Sequence, residues 1–144
     1  MKVSEIKLTY SNKNSTEEYI KTQEDAYKCF YAHWDLSTIE LQEQAKVIYL
    51  NRANRVLGIY NLSTGSTSGT TIDIKLILAT AIKANASGII LAHNHPSGTL
   101  KPSQNDIKIT EKLSEASKLF DIRLLDHIII TKNSYLSMES ESLL

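Results

Sequence analysis

Cysteine, proline and glycine are all scarce in this chain. Its 144 residues include one cysteine, two prolines and five glycines. A composition of this kind argues against wholesale disorder and against a fibrous repeat. The lone Cys29 excludes a disulfide within the chain and any cysteine-rich metal cluster, as is usual for a protein of a reducing compartment. It lies in the sequence YKCFY, where we expect a buried apolar residue rather than a reactive thiol.

An excess of either charge and long hydrophobic runs are also absent. Sixteen basic residues balance sixteen acidic ones, so the whole chain provides no long-range attraction for nucleic acid or for an anionic membrane. No run approaches the roughly 18 apolar residues that a membrane-spanning helix needs, and the first residues form no apolar signal core. We therefore expect a cytoplasmic protein without a membrane partner; nucleic acid stays open as a partner but is not indicated by the charge.

The chain has the length and hydrophobic content of one globular domain. Its hydrophobic fraction of 42% is ordinary for such a domain, and a chain of this size buries roughly two thirds of its unfolded surface. We predict a single domain over residues 1–144, with the motifs in a core at about 36–137 and an N-terminal extension of one strand and one helix at 1–35.

Hydrophobic periodicity and turn residues predict the order β-α-β-β-α-β-α-β, which favours an α/β sheet flanked by helices. The predicted strands lie at 3–10, 45–50, 55–62, 88–92 and 122–131. The predicted helices follow the N-cap residues Thr22, Asp73 and Ser103 and end near 36, 85 and 120. Composition predicts a flexible loop at 63–71 and a frayed polar tail at 137–144.

The most informative segment is 93–106, with the sequence HNHPSGTLKPSQND. In an extended chain, residues i and i+2 point to the same side, so His93 and His95 can reach one ion while Asn94 turns away. The Pro-Ser-Gly that follows turns the chain, and Asp106 returns on the next helix as a third ligand. Two imidazoles and one carboxylate suit Zn²⁺, and three protein ligands leave one position for water, as in catalytic zinc sites.

A simpler interpretation of the same segment involves no metal. Ser103 and Asp106 form an S-x-x-D capping box, which begins a helix whether or not an ion binds. The two interpretations are compatible, because one carboxylate can do both. Capping alone does not explain why two of only four histidines stand at alternate positions beside a turn.

A hydrolytic zinc also needs a carboxylate base that is not itself a ligand. Glu43 is a candidate, because the strand at 45–50 can lie beside the strand at 88–92 and bring it to the edge that carries the histidines. Glu40 is a competitor that spacing alone does not exclude. Asp126 and His127 would be costly to bury unless hydrogen-bonded; they either orient a zinc ligand or form a satisfied structural pair.

The pattern H-x-H-x₇-S-x₂-D with an upstream glutamate resembles the JAMM signature of the MPN+ (JAB) metalloprotease domain. It consists here of His93, His95, Ser103 and Asp106. The spelling HNHPSG, with NRANRVLG upstream and LLDH downstream, resembles the bacterial RadC-like branch of that family. The resemblance covers residues from about 36 to 137, which is most of the chain.

The resemblance implies an MPN fold, similar to that of cytidine deaminases, with a mixed β-sheet flanked by helices. It implies a zinc ion held by His93, His95 and Asp106. It favours Glu43 over Glu40 as the general base and makes Ser103 the hydroxyl that helps hold the oxyanion. The implied activity is that of a zinc metallopeptidase, in which metal-activated water attacks a peptide or isopeptide bond of a peptide or protein substrate.

Two departures from the family pattern leave a second hypothesis open. Asn94 stands where ubiquitin-processing members have Ser or Thr, so a ubiquitin-like substrate is not implied. Residues 1–36 contain no glycine-rich hairpin between helices, so we do not expect in them the helix-hairpin-helix module of longer RadC proteins. The alternative is a metal-bearing interaction module, linked to DNA repair or mobile elements, with little hydrolytic activity.

Overall fold

The computed structural model of the protein describes residues 2–12, 17–65 and 71–144. Its helices and strands, in chain order, are α1 (Gln23–Ala32), β1 (Gln44–Leu50), β2 (Val56–Thr64), α2 (Ile74–Lys83), β3 (Gly88–Asn94), α3 (Gln104–Lys118), β4 (Arg123–Ile130) and β5 (Tyr135–Ser137). Within the described ranges, no helix is both long enough and apolar enough to cross a membrane.

The five strands form one mixed sheet in the order β2-β1-β3-β4-β5. β3 and β4 are parallel, and α3 connects them, because parallel neighbours need a crossover rather than a tight turn. The other neighbouring pairs are antiparallel. Every residue of the central strand β3 is buried. The predicted mixed α/β sheet flanked by helices is confirmed, as are the predicted hairpin of β1 with β2 and the pairing of β1 with β3.

Both faces of the sheet are covered, so alternate residues of the central strands enter two different cores. One core packs α1 against residues such as Ile48, Ile90 and Ile128. The other packs α2 and α3 against their sequence neighbours, such as Val47 and Leu91. Burial on both faces explains why these strands are continuous apolar runs rather than alternating ones.

The predicted N-caps position the helices as expected. Thr22 forms a complete capping box with Asp25 at the start of α1. The Asp73 side chain accepts a hydrogen bond from Leu76 N at the start of α2. Ser103 forms a second capping box at the start of α3, and this box fixes the first turn of the helix that leads toward the candidate site.

The strand predicted at 3–10 is wrong. The segment has no strand pairing, and Val3 and Ile6 are 81% and 94% exposed. One contact ties its end to the sheet, a hydrogen bond that the Tyr10 hydroxyl donates to the Leu57 carbonyl. An alternating pattern stabilises a strand only when a neighbour supplies the ladder and a core covers one face, and this segment has neither.

The predicted frayed tail is wrong at its start. β5 pairs with β4, and Met138, just beyond it, is fully buried. The Ser137 hydroxyl and Glu139 N both donate to the buried Asp126 carboxylate. The flexible loop predicted at 63–71 overlaps the end of β2, and its residues 66–70 lie outside the described residues.

We expect Leu113→Ala to lower the free energy of unfolding by about 2–5 kcal/mol, because it leaves a cavity under α3. Leu113 is fully buried in the core beneath that helix. Leu119→Ala is the matched control, since Leu119 is 83% exposed, and it should change stability by less than about 0.5 kcal/mol. Urea denaturation measures both, and equal effects would contradict the packing described here.

Candidate metal centre

Four side chains from three elements meet at one edge of the sheet. His93 is the second-last residue of β3, and His95 follows directly after that strand. Glu43 directly precedes β1, whose Ala45 is paired with His93. Asp106 lies in the first turn of α3. The structure thus brings together the three predicted ligands and the predicted base.

The imidazole nitrogens and carboxylate oxygens point at one another. Nε2 of His93 and Nε2 of His95 are 2.9 Å apart. The Asp106 carboxylate spans both rings, with Oδ1 3.4 Å from His93 Nε2 and Oδ2 3.3 Å from His95 Nε2. Oε1 of Glu43 is farther from the same two nitrogens, at 3.7 and 4.0 Å. The His93 side chain is 2% exposed and the other three are 12–15% exposed.

The turn after His95 determines which nitrogen of that ring faces the site. Gly98 N donates to the His95 carbonyl at 3.0 Å, and Gly98 has φ of +85°, a conformation that costs glycine little. The Thr99 carbonyl then lies 2.8 Å from His95 Nδ1. A carbonyl oxygen only accepts, so Nδ1 carries the hydrogen and Nε2 of the neutral ring presents a lone pair to the site.

This donor set fits a zinc ion. Neutral imidazole nitrogens and carboxylate oxygens are ligands that Zn²⁺ prefers. Two nitrogens held 2.9 Å apart beside carboxylates are also an arrangement that a bound cation stabilises electrostatically. Glu43, His93 and His95 form a group that could hold a metal ion, and Asp106 contacts both rings of that group.

The pKa shifts agree with a site that favours positive charge at this place. Burial raises the pKa of the Asp106 carboxyl, but the imidazoles of His93 and His95, which can donate to it when protonated, outweigh burial and hold the pKa well below its usual range. Burial lowers the pKa of His95, but the Asp106 carboxylate and the Thr99 carbonyl stabilise its protonated ring and raise the pKa above the usual value. Asp106 therefore stays ionised beside the two rings.

A cleft of about 250 Å³ opens beside these side chains. Its walls are Glu43, Thr71, Ile72, His93, Asn105, Asp106 and Ile109. Sequence reasoning missed four of them. Asn105 and Ile109 could have been found from helical spacing around Asp106, whereas Thr71 and Ile72 carry no motif and come close only through the fold.

Ser103 lies at the entrance to α3 and not in the wall of this cleft. Its Oγ accepts from Asp106 N at 3.0 Å, and its own N–H donates to Asp106 Oδ2 at 2.9 Å. The capping box thus orients the carboxylate that contacts both histidines. The oxyanion role of Ser103 stays a prediction.

The two alternatives for Asp126 and His127 divide between the two residues. The Asp126 carboxylate accepts from Ser137 Oγ, Glu139 N and His127 N, so it is a satisfied buried group that fastens the C-terminal segment. His127 is fully buried, and its Nε2 lies 2.7 Å from His93 Nδ1. Of the pair, His127 is the residue in contact with a predicted zinc ligand.

Asn94 turns away from the histidines, as alternation predicts, and fastens the segment that carries Glu43. Its Oδ1 accepts from Gln44 N at 2.7 Å. Its amide nitrogen donates to the carbonyls of Ile39 and Gln42 at 2.7 and 2.9 Å. Glu40, the other candidate base, lies away from the site and is 62% exposed, 3.6 Å from Lys132 Nζ.

The sheet, its three helices and the metal-capable group together permit a comparison with known proteins. The family model of the RadC-like JAB domain matches residues 20–143. The chain belongs to the RadC-like JAB domain family. Its mixed five-stranded sheet with three helices is consistent with a JAB (MPN) domain.

Relatives of this RadC-like JAB domain are called UPF0758 proteins. The one from Flavobacterium johnsoniae is 42% identical over 101 residues, which are 70% of this chain and 44% of the relative. The one from Porphyromonas gingivalis is 44% identical over 104 residues, 72% of this chain and 46% of the relative. The one from Coprothermobacter proteolyticus is 38% identical over 136 residues, 92% and 57%. The chain spans about half the length of the curated relatives it matches.

We expect Asn94→Ala to lower the free energy of unfolding by about 2–4 kcal/mol, because three hydrogen bonds are lost and their buried or half-buried backbone partners are left unpaired. The Gln44 amide should also exchange its hydrogen faster. Urea denaturation and hydrogen exchange measure these effects. Asn105→Ala, at an exposed position of the cleft wall, is the control and should change neither; an Asn94→Ala protein as stable as this control would contradict the fastening role.

Proposed function

We propose that this domain is a zinc-dependent hydrolase that cleaves a peptide or isopeptide bond in a peptide or protein substrate. His93, His95 and Asp106 would hold the zinc, and Glu43 would be the general base. The observation that supports this most is the convergence of two carboxylates on one pair of facing imidazole nitrogens, at two different distances.

These distances support different roles for the two carboxylates. A tetrahedral ion with bonds of about 2.0–2.1 Å separates its ligand atoms by about 3.3–3.4 Å. The Asp106 carboxylate lies at this spacing, with Oδ1 3.4 Å from His93 Nε2 and Oδ2 3.3 Å from His95 Nε2. The two nitrogens, now 2.9 Å apart, would separate by about 0.4 Å to share the ion. Glu43 Oε1, at 3.7 and 4.0 Å, lies beyond that spacing yet close enough to hydrogen-bond a water at the site.

Glu43 can therefore act on protons. When bound, zinc lowers the pKa of a water toward about 7 and polarises a carbonyl oxygen. The Glu43 carboxylate would accept the proton of the attacking water and then donate it to the nitrogen of the leaving amine. Its side chain is 14% exposed, so it is reached from the cleft but largely withdrawn from bulk water.

The remaining groups of the site would bind and orient. Ile72 and Ile109 supply apolar wall to the cleft, which strengthens electrostatic interactions by limiting water. Ser103 Oγ already accepts from Asp106 N, so its hydroxyl hydrogen is available to donate. We propose that it donates to the oxyanion that develops on the substrate carbonyl, an interaction commonly worth about 10²–10³ in rate.

We expect Glu43→Gln to retain about one zinc per chain, since three ligands remain, and to slow hydrolysis by about 10²–10⁴-fold through loss of the base. Zinc content is measured by elemental analysis and hydrolysis with a library of internally quenched peptides. Glu40→Gln is the matched control and should change neither property, whereas His95→Ala should lose zinc.

Two outcomes would contradict the proposal. Loss of zinc from Glu43→Gln, with zinc retained by Asp106→Asn, would make Glu43 a ligand and reverse the two carboxylate roles. A wild-type protein that binds zinc but cleaves neither peptides nor isopeptide-linked proteins would favour the metal-bearing interaction module.

A further inference from the structure

A buried chain of hydrogen bonds lies behind His93, on the side away from the facing nitrogens. His93 Nδ1 is 2.7 Å from His127 Nε2. His127 Nδ1 is 2.6 Å from Thr110 Oγ1. Thr110 Oγ1 is in turn 2.6 Å from the backbone carbonyl of Asp106. The three residues His93, His127 and Thr110 are 2%, 0% and 1% exposed, so solvent does not substitute for any link.

This series of hydrogen bonds ends at the Asp106 carbonyl, and that last partner fixes the direction of each hydrogen bond before it. Two oxygens 2.6 Å apart need a hydrogen between them, and a carbonyl has none, so the Thr110 hydroxyl donates to Asp106. That hydroxyl has a single hydrogen. Toward His127 it can only accept, and His127 Nδ1 must therefore carry a hydrogen.

The hydrogen on His127 Nδ1 also determines the direction of the next hydrogen bond, between His127 and His93. His127 is fully buried, and its two ring nitrogens contact a hydroxyl and an imidazole rather than a carboxylate. Burial without an opposite charge disfavours the charged ring, and a neutral ring has one N–H, which is already on Nδ1. His127 Nε2 is then an acceptor, and His93 Nδ1 is the donor to it. A neutral His93 ring consequently has its lone pair on Nε2, the nitrogen that faces His95 and Asp106.

We propose that Thr110 is a positioning residue that fixes the tautomer of His93, acting through His127. This role deepens the proposed function and rests on it. The nitrogen that faces the site, Nε2, can bind a metal only when it carries a lone pair and no hydrogen. One hydroxyl thereby serves two predicted ligands. It holds the backbone of Asp106 on one side and determines, through two successive hydrogen bonds, which nitrogen of His93 carries the hydrogen.

A sequence pattern alone does not reveal this role. A threonine that donates to the carbonyl four residues earlier is a common feature of helices, and Thr80 does the same to Leu76 in α2 at 2.9 Å. The difference is the second partner. Thr110 also contacts a buried imidazole, whereas the side chain beside Thr80 is that of Tyr49 and not a histidine.

The test compares Thr110→Val, which removes the hydroxyl, with Thr110→Ser, which keeps it. Thr80→Val is the matched control, since it removes the same type of hydrogen bond to the helix. The first measurement is the ¹⁵N chemical shift of the histidine ring nitrogens in metal-free protein at pH 8. The second is the affinity for Zn²⁺ alone, from competition with a chromophoric chelator.

We expect the ring of His93 in wild type, Thr110→Ser and Thr80→Val to carry its hydrogen on Nδ1. In Thr110→Val a substantial fraction should carry it on Nε2. Zinc affinity should fall about 10–100-fold in Thr110→Val, the loss typical when a group that orients a ligand is removed, and return to within a few-fold of wild type in Thr110→Ser. A Thr110→Val protein with the wild-type tautomer and affinity would overturn the proposal.

The two measurements separate this proposal from the proposed function. A wild-type protein with the expected tautomer but no zinc binding would refute the zinc hydrolase and leave the role of Thr110 intact. The wild-type spectrum is decisive even if Thr110→Val fails to fold, because a His93 ring with its hydrogen on Nε2 would by itself overturn the direction of the chain.

Discussion

The register of β1 against β3 is the constraint on which the candidate site depends. Ala45 lies opposite His93 in an antiparallel ladder, so Glu43 arrives at the sheet edge where the two histidines emerge. A slip of one residue would move Glu43 along the edge and turn every side chain of β1 to the other face. The burial of both faces of these strands prevents such a slip, because two separate cores would have to repack. At the end of the same ladder, the Asn94 side chain adds hydrogen bonds to the backbone of Gln44 and Ile39.

The site itself is arranged from two sides. The loop after His95 returns the Thr99 carbonyl to one ring, and the chain through His127 and Thr110 reaches the other. Each of these contacts accepts a hydrogen bond from Nδ1 of one histidine, so Nε2 of that histidine is the nitrogen beside Asp106. Buried hydrogen bonds of this kind are costly to break in part, since an orphaned donor or acceptor remains. The fold therefore holds both rings in one orientation before any ion arrives.

Much of the fold and the content of the site could be predicted from sequence, and the reasons are physical. The continuous apolar runs in the sequence predict β1 and β3, because strands buried on both faces need them. The N-cap residues Thr22, Asp73 and Ser103 predict where the three helices begin. Alternation places His93 and His95 on one side and Asn94 on the other. The strand predicted at 3–10 is wrong because an alternating pattern does not show whether a neighbouring strand exists. β5 was missed because three residues are too few for any period to show.

The roles of Asn94 and Thr110 could not be predicted, because each depends on contacts between elements distant in sequence. Asn94 binds a segment about fifty positions earlier in the chain, and Thr110 reaches His127 only because α3 packs beside β4. The assignment of Asp106 as ligand and Glu43 as base depends likewise on small differences between distances, 3.4 and 3.3 Å for Asp106 against 3.7 and 4.0 Å for Glu43. The most direct test is a zinc-edge anomalous difference map of crystals grown with Zn²⁺. The expected arrangement is one peak bonded, at about 2.0–2.2 Å, to His93 Nε2, His95 Nε2 and an Asp106 oxygen, with the Glu43 carboxylate beyond bonding distance. A peak bonded to Glu43 in place of Asp106, or no peak between the histidines, would contradict it.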